Sequence, residues 1–261
     1  MRRSALLAGV ASLAAAAALV ISGAPAQASG ANYVALGDSY SSGVGTTSNY
    51  LNSCDQSTAA YPELYKSAVG VASFTFEACT GATAPSIESG QLGGLTASTT
   101  LVSLTDGGND VGFSSIMETC VLESDSSCQS AIAGAVTKAK NTLPGVLDTL
   151  YNDISADAPS AHVVVLGYPE FYDTSQTGCI GLSQADHVAL DNASDTLNSV
   201  VSAAAGRHGY TYESVVSGFS GHELCDSTEW LHSLTWPISD SYHPTASGHS
   251  NAYLPAFERG V

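Results

Sequence analysis

Three short apolar runs in this chain each break, at their C-terminal end, into a polar loop that contains glycine. Residues 33–36 (YVAL) run into Gly37-Asp38-Ser39, residues 71–78 (VASFTFEA) into Cys79-Thr80-Gly81-Ala82, and residues 101–104 (LVSL) into Asp106-Gly107-Gly108-Asn109. A fourth run, residues 162–166 (HVVVL), ends at Gly167-Tyr168-Pro169, and residues 210–216 give a weaker fifth. Such runs read as strands. Between them lie helical patterns. In residues 183–208, Leu190, Leu197, Val201 and Ala204 recur at helical spacing and Gly209 stands in stop position. A second helical stretch, residues 129–154, is interrupted at Pro144-Gly145, and residues 61–69 and a segment from about Thr245 complete the set. Strands alternating with helices, the strands short and continuously apolar, predict an α/β domain with a mostly parallel sheet covered on both faces. Ligands of open parallel sheets bind beyond the carboxyl ends of the strands. Three chemically equipped loops at that edge are therefore a candidate site.

The N-terminus reads as a leader rather than as fold. Arg2 and Arg3 precede an Ala-rich apolar run over residues 5–21, and Ala26-Gln27-Ala28 offers a small-residue cleavage site. Residues 1–28 are predicted to be a signal peptide cut after Ala28, leaving one domain over 29–261 and a secreted, extracellular protein. All six cysteines lie beyond that point, an even number that suits a disulfide framework in an exported chain. Sequential pairing (Cys54–Cys79, Cys120–Cys128, Cys179–Cys225) closes the shortest loops and is the expectation. Each bridge is worth roughly 2.5–4 kcal/mol on the loop-entropy account. The net charge of −17 repels phosphate backbones, so no nucleic-acid partner is expected. No segment after the leader approaches the apolar length of a membrane span, so no stable membrane insertion is expected either. Nothing suggests more than a monomer.

Acyl transfer by serine needs a nucleophile, a base beside it, a group that orients the base, and donors for the developing oxyanion. Ser39 sits where a strand meets Gly37-Asp38, a position that exposes a hydroxyl at the sheet edge. Near the other terminus, Asp240-Ser241-Tyr242-His243-Pro244 places a carboxylate three residues before an imidazole. A tight turn there lets Asp240 accept the proton on His243 Nδ1 and leaves Nε2 for Ser39. Gly81 can present its backbone N–H without side-chain interference, and Asn109 offers a side-chain amide. His222, His232 and His249 crowd the last third, but no H-E-x-x-H pattern accompanies them, and neither metal nor cofactor is expected. Tyr168, Phe171 and Tyr172 follow a strand and suit either an acyl groove or core.

The stretches Gly37–Gly43 (GDSYSSG), TGA around Gly81, GGND around Asn109 and Asp240–Pro244 (DSYHP) resemble the four sequence blocks of the SGNH, or GDSL-like, hydrolases. The match spans essentially the whole mature chain, includes the six-cysteine layout, and is nearest to secreted bacterial GDSL lipases and esterases. The resemblance implies a three-layer α/β/α flavodoxin-like fold with a central five-stranded sheet. It implies Ser39 as nucleophile, the Ser39 and Gly81 N–H groups with the Asn109 amide as oxyanion donors, His243 as base and then acid, and Asp240 as its partner. In some members a backbone carbonyl replaces the acid, which leaves the orienter of His243 open. Tyr40 stands where the family's name has Leu, a change expected to be tolerated. The implied activity is metal-independent hydrolysis of lipid carboxylic esters, acylglycerols first and phospholipids second, through an acyl-enzyme. The alternatives are a carbohydrate acetylesterase and a non-catalytic secreted binding protein.

Overall fold

The computed structural model describes residues 30–261, so the predicted leader and its cleavage site lie outside the described residues. Five strands, β1 (Asn32–Ala35), β2 (Ser73–Phe76), β3 (Leu101–Leu104), β4 (His162–Leu166) and β5 (Thr211–Glu213), form one parallel sheet in the order β2-β1-β3-β4-β5. β3 is buried along its whole length and β4 in all but its first residue, as strands covered on both faces must be. The edge strands β2 and β5 are less covered and shorter than the apolar runs that announce them.

Eleven helices clothe the sheet among the described residues: α1 (Ser39–Ser42), α2 (Tyr61–Val69), α3 (Ala84–Gly90), α4 (Gly108–Val111), α5 (Phe113–Leu122), α6 (Asp125–Asn141), α7 (Leu143–Asp157), α8 (Gln184–Arg207), α9 (Val216–Phe219), α10 (Ala246–Gly248) and α11 (Leu254–Gly260). α2 and α11 share one face, where Tyr33 of β1 stacks on Phe257 at 5.4 Å and Tyr65 meets the same ring edge-on at 4.7 Å. α6, α7 and α8 pack against one another on the opposite face and bury Leu143, Leu147, Leu150, Leu190 and Val201. α8 opens on Ser183, whose hydroxyl accepts the Asp186 N–H, and its predicted apolar stripe of Leu190, Leu197, Val201 and Ala204 is buried throughout. No helix among the described residues is long and apolar enough to cross a membrane.

The strand order is that of the doubly wound flavodoxin-like fold, in which the order of strand addition reverses between β1 and β3. The loops leaving the carboxyl ends of those two strands carry Gly37-Asp38-Ser39 and Gly107-Gly108-Asn109. Disulfides join Cys54 to Cys79, Cys120 to Cys128 and Cys179 to Cys225. The first bridges the loop after α1 to the loop after β2, and it holds the Gly81 loop near the end of β1.

Candidate active site

Ser39 is the first residue of α1, a helix so short that its caps decide its geometry. Asp38 caps it, accepting the Tyr40 N–H at 2.9 Å, and Gly43 closes it by donating its N–H to the Ser39 carbonyl at 3.0 Å. The turn into α1 needs glycine at position 37: its φ is +120°, and a Cβ there would meet Ser41 Oγ and the Thr105 carbonyl oxygen, both at 2.7 Å. Gln91 fastens this residue from both sides, accepting its N–H at 2.8 Å and donating to its carbonyl at 2.9 Å. Ser39 is thereby fixed at the carboxyl end of β1.

The segment holding His243 is a two-stranded loop. His232 donates its N–H to the His243 carbonyl at 2.9 Å, and Tyr242 donates back to the His232 carbonyl at 2.8 Å. Tyr242 takes a left-handed φ of +64°, which turns the chain so that the His243 ring faces α1. Tyr40 then ties the two ends of the polypeptide together, its hydroxyl donating to the Tyr242 carbonyl at 2.6 Å while its ring lies 5.1 Å from that of His243. The residue that departs from the family's name thus braces the histidine. The result is a Ser39 Oγ to His243 Nε2 distance of 2.8 Å across 204 positions of sequence.

The tautomer follows from the other nitrogen. His243 Nδ1 lies 3.1 Å from the Ser241 carbonyl oxygen, which can only accept. Nδ1 therefore carries the proton, Nε2 presents its lone pair, and the Ser39 hydroxyl donates to it. The expectation that Asp240 takes the Nδ1 proton is not met. Asp240 ends a short 3-10 turn, Ile238–Asp240, whose last carbonyl accepts the His243 N–H at 3.2 Å. Its carboxylate instead accepts the Tyr50 hydroxyl at 3.2 Å. A three-residue separation allows either group to face the imidazole, and the turn delivers the carbonyl of Ser241. Asp240→Asn is accordingly expected to keep kcat on a p-nitrophenyl ester within about threefold, because the amide oxygen can still accept from Tyr50. A loss of a hundredfold would return the orienting role to the carboxylate.

Burial pushes the His243 imidazole down to about 4, against the opposing pull of its bond to the Ser241 carbonyl. The ring is neutral at neutral pH and competent as a base. Protonation removes the lone pair that must accept the Ser39 proton, so kcat/KM should stay level from neutral pH downward and fall as pH drops through about 4. A midpoint near 6.5, that of an exposed imidazole, would contradict this environment.

The three expected oxyanion donors lie in the loops that follow β1, β2 and β3. Among the described residues, neither the Ser39 N–H nor the Gly81 N–H has a protein acceptor. Gly81 holds φ +74°, a left-handed conformation that glycine adopts without strain. Asn109 spends one amide hydrogen on the Ala82 carbonyl at 2.9 Å, which aims its side chain and leaves the other hydrogen free. Beneath them Asp38 is buried and, chiefly through that burial, pushed up to about 6 despite its hydrogen bonds. It accepts from the Thr105 hydroxyl at 2.6 Å and from the Tyr168 hydroxyl, which itself receives the Gly108 N–H at 3.2 Å. Tyr168 so couples the Ser39 loop to the Asn109 loop, a link that no local pattern reveals.

A narrow cavity opens beside Ser39 and Asn109, walled by Phe113 and Ile116 of α5, Ile132 and Ala135 of α6, and Leu190 and Leu197 of α8. Tyr168 and Phe171 line it too, whereas Tyr172 stacks on His187 at 3.8 Å outside it. The remaining histidines lie apart: His222 stacks on Trp230, His232 bonds the Gly45 carbonyl, and His249 accepts the Tyr61 N–H. Among the described residues no cluster of three or more potential metal ligands forms.

Residues 35–250 match the model of the GDSL-like Lipase/Acylhydrolase family. The chain is 50% identical to Lipase 1 of Streptomyces coelicolor over 98% of both chains. Among solved structures it resembles a phospholipase A1 from Streptomyces albidoflavus, with TM-score 0.87 and 48% identity over 89% of this chain and 100% of that one. An extracellular lipase from Streptomyces rimosus gives TM-score 0.86 and 45% identity over 88% of this chain and 99% of that one. With its four blocks gathered at the carboxyl edge of a parallel sheet, the chain belongs to the GDSL-like lipase/acylhydrolase family.

Proposed function

We propose that this chain is a secreted lipase that hydrolyses lipid carboxylic esters through an acyl-enzyme on Ser39. The observation that carries the reading is a 2.8 Å bond from Ser39 Oγ to a neutral His243, placed at the mouth of an apolar cavity. Ser39 attacks the ester carbonyl as His243 Nε2 takes its proton. The Ser39 and Gly81 N–H groups and the Asn109 amide hold the tetrahedral oxyanion. His243 returns the proton to the leaving alkoxide, then deprotonates the water that releases the acid. The Ser241 carbonyl holds the imidazole in register throughout. The Ala-rich leader pattern and the three disulfides support export. The lipase and phospholipase A1 names of the relatives support acylglycerols or phospholipids as substrates.

The cavity supports an acyl chain rather than acetyl as the bound group, since beyond Asp38, Ser39, Asn109 and Ser194 its walls are chiefly aliphatic and aromatic. A series of p-nitrophenyl esters from acetyl to stearoyl, with triacylglycerol and phosphatidylcholine alongside, tests this directly. Activity is expected to rise beyond butyryl. Ala135→Phe, which fills part of the cavity, is expected to lower the ratio of long-chain to acetyl hydrolysis at least tenfold. A profile that peaks at acetyl, unmoved by Ala135→Phe, would assign the site to carbohydrate acetyl esters instead.

A further inference from the structure

Five of the seven exposed large hydrophobic side chains among the described residues gather around the loop that carries His243. Leu234, Trp236 and Ile238 are 51%, 86% and 61% exposed and stand on its tip. The base of that loop is the hydrogen-bonded pair His232 and His243. The tip is braced, since Thr235 donates its N–H to Ser241 Oγ at 2.9 Å. On one side the Tyr50 hydroxyl, bonded to Asp240, holds the neighbouring loop with Leu51, 55% exposed. At the start of the loop, Ile180, 95% exposed, lines a surface depression together with Ser233. Apolar side chains grouped in this way on the outside of a domain mark an interaction surface.

The charges around the tip select the partner. No Lys or Arg occurs between residues 208 and 258, and the one charged side chain in 233–241 is Asp240, already engaged by Tyr50. The whole chain carries −17. Such a surface offers nothing to an anionic headgroup layer and is repelled by one. Tryptophan with flanking aliphatics suits the boundary between headgroups and acyl chains. We infer that the 234–238 tip docks this enzyme on a zwitterionic lipid surface, setting the mouth of the Ser39 cavity against the layer that holds its substrate. The inference rests on the lipid-ester reading above and adds to it the surface by which the substrate is met.

Binding is measured with Ser39→Ala protein, which separates docking from turnover. Phosphatidylcholine vesicles are expected to cosediment with it and to shift Trp236 emission to shorter wavelength. Leu234→Ser/Trp236→Ser/Ile238→Ser in that background should lower the partition coefficient at least tenfold, and Trp236→Ser alone should lower it severalfold should the triple variant fold poorly. In the active enzyme the triple variant should lose about tenfold on phosphatidylcholine vesicles and stay within twofold on monomeric p-nitrophenyl butyrate. Equal partition of parent and variants, no partition of the parent, or tighter binding when phosphatidylglycerol is added would each overturn the inference. So would a concentration-dependent dimer of the parent that the variants abolish without any vesicle binding. Lipid hydrolysis unchanged by the triple variant sinks the docking surface and leaves the lipase reading intact. Vesicle binding without any lipid hydrolysis by the parent sinks that reading and leaves the docking surface standing.

Discussion

Alanine in place of Ser39 is expected to lower hydrolysis of a p-nitrophenyl ester by on the order of 10⁴–10⁶, and His243→Ala by a similar factor. In the proposed mechanism the two groups act as one unit, because the hydroxyl would be a nucleophile only while Nε2 receives its proton across 2.8 Å. The double variant should therefore be no slower than either single one. Folding should be spared. The α1 helix is held by the Asp38 cap, the Gly43 closing bond and Gln91 on Gly37, none of which uses the Ser39 side chain. His243 contributes its backbone to the pairing with His232, and alanine keeps both of those bonds. Thermal midpoints within a few degrees of the parent, measured beside the rates, would show that chemistry rather than structure has been lost. A fluorophosphonate probe should label the parent and leave Ser39→Ala unlabelled. Activity above about a tenth of the parent in either single variant would remove the acyl-enzyme route.

What the amino-acid pattern discloses, and what it conceals, follows from the range of the forces involved. β3 and β4 are readable to the residue because strands buried on both faces must be apolar throughout. The interrupted helical pattern over 129–154 becomes α6 and α7, and the break falls at Thr142 rather than at Pro144. Pro144 sits instead in the first turn of α7, where its missing N–H costs nothing. α3 and α5 escape notice because they are short, α3 carries Pro and Gly, α5 has two Ser in its first turn, and both draw their stability from neighbours. In the site, Ser39 and His243 are legible from their blocks. The orienter is not, since Asp240 and the Ser241 carbonyl differ by one small turn. Gln91 reaches Gly37 from 54 residues away and Tyr168 reaches Asp38 from 130, distances at which no periodicity speaks. Tyr40 did carry a signal, a phenol where the family's name has an aliphatic, and its bond to the Tyr242 carbonyl explains it.

Asn109→Ala is expected to cost on the order of 10²–10³ in kcat, about 2.7–4 kcal/mol of transition-state stabilisation, with little change in KM. The amide has two hydrogens and only one is taken, by the Ala82 carbonyl at 2.9 Å. That bond sets the direction of the second before any substrate arrives, so no reorganisation is needed as charge develops. The same bond couples two donors, because Ala82 follows Gly81 and the loop between them moves as one piece. Truncation therefore removes one donor and loosens another, which places the loss toward the upper end of the range. The loop does not collapse, since the Cys54–Cys79 bridge and the Cys79 N–H to Gly37 carbonyl bond at 3.0 Å remain. Asn109→Asp separates donation from packing: it keeps the shape, cannot donate, and sets a negative charge beside the oxyanion. It should be at least as slow as Asn109→Ala. An aspartate variant as fast as the parent would show that the side chain fills space without serving the oxyanion. A loss in the alanine variant confined to KM would place the amide on the bound ester instead of on the tetrahedral species, because only an interaction stronger in the transition state lowers kcat when it is removed.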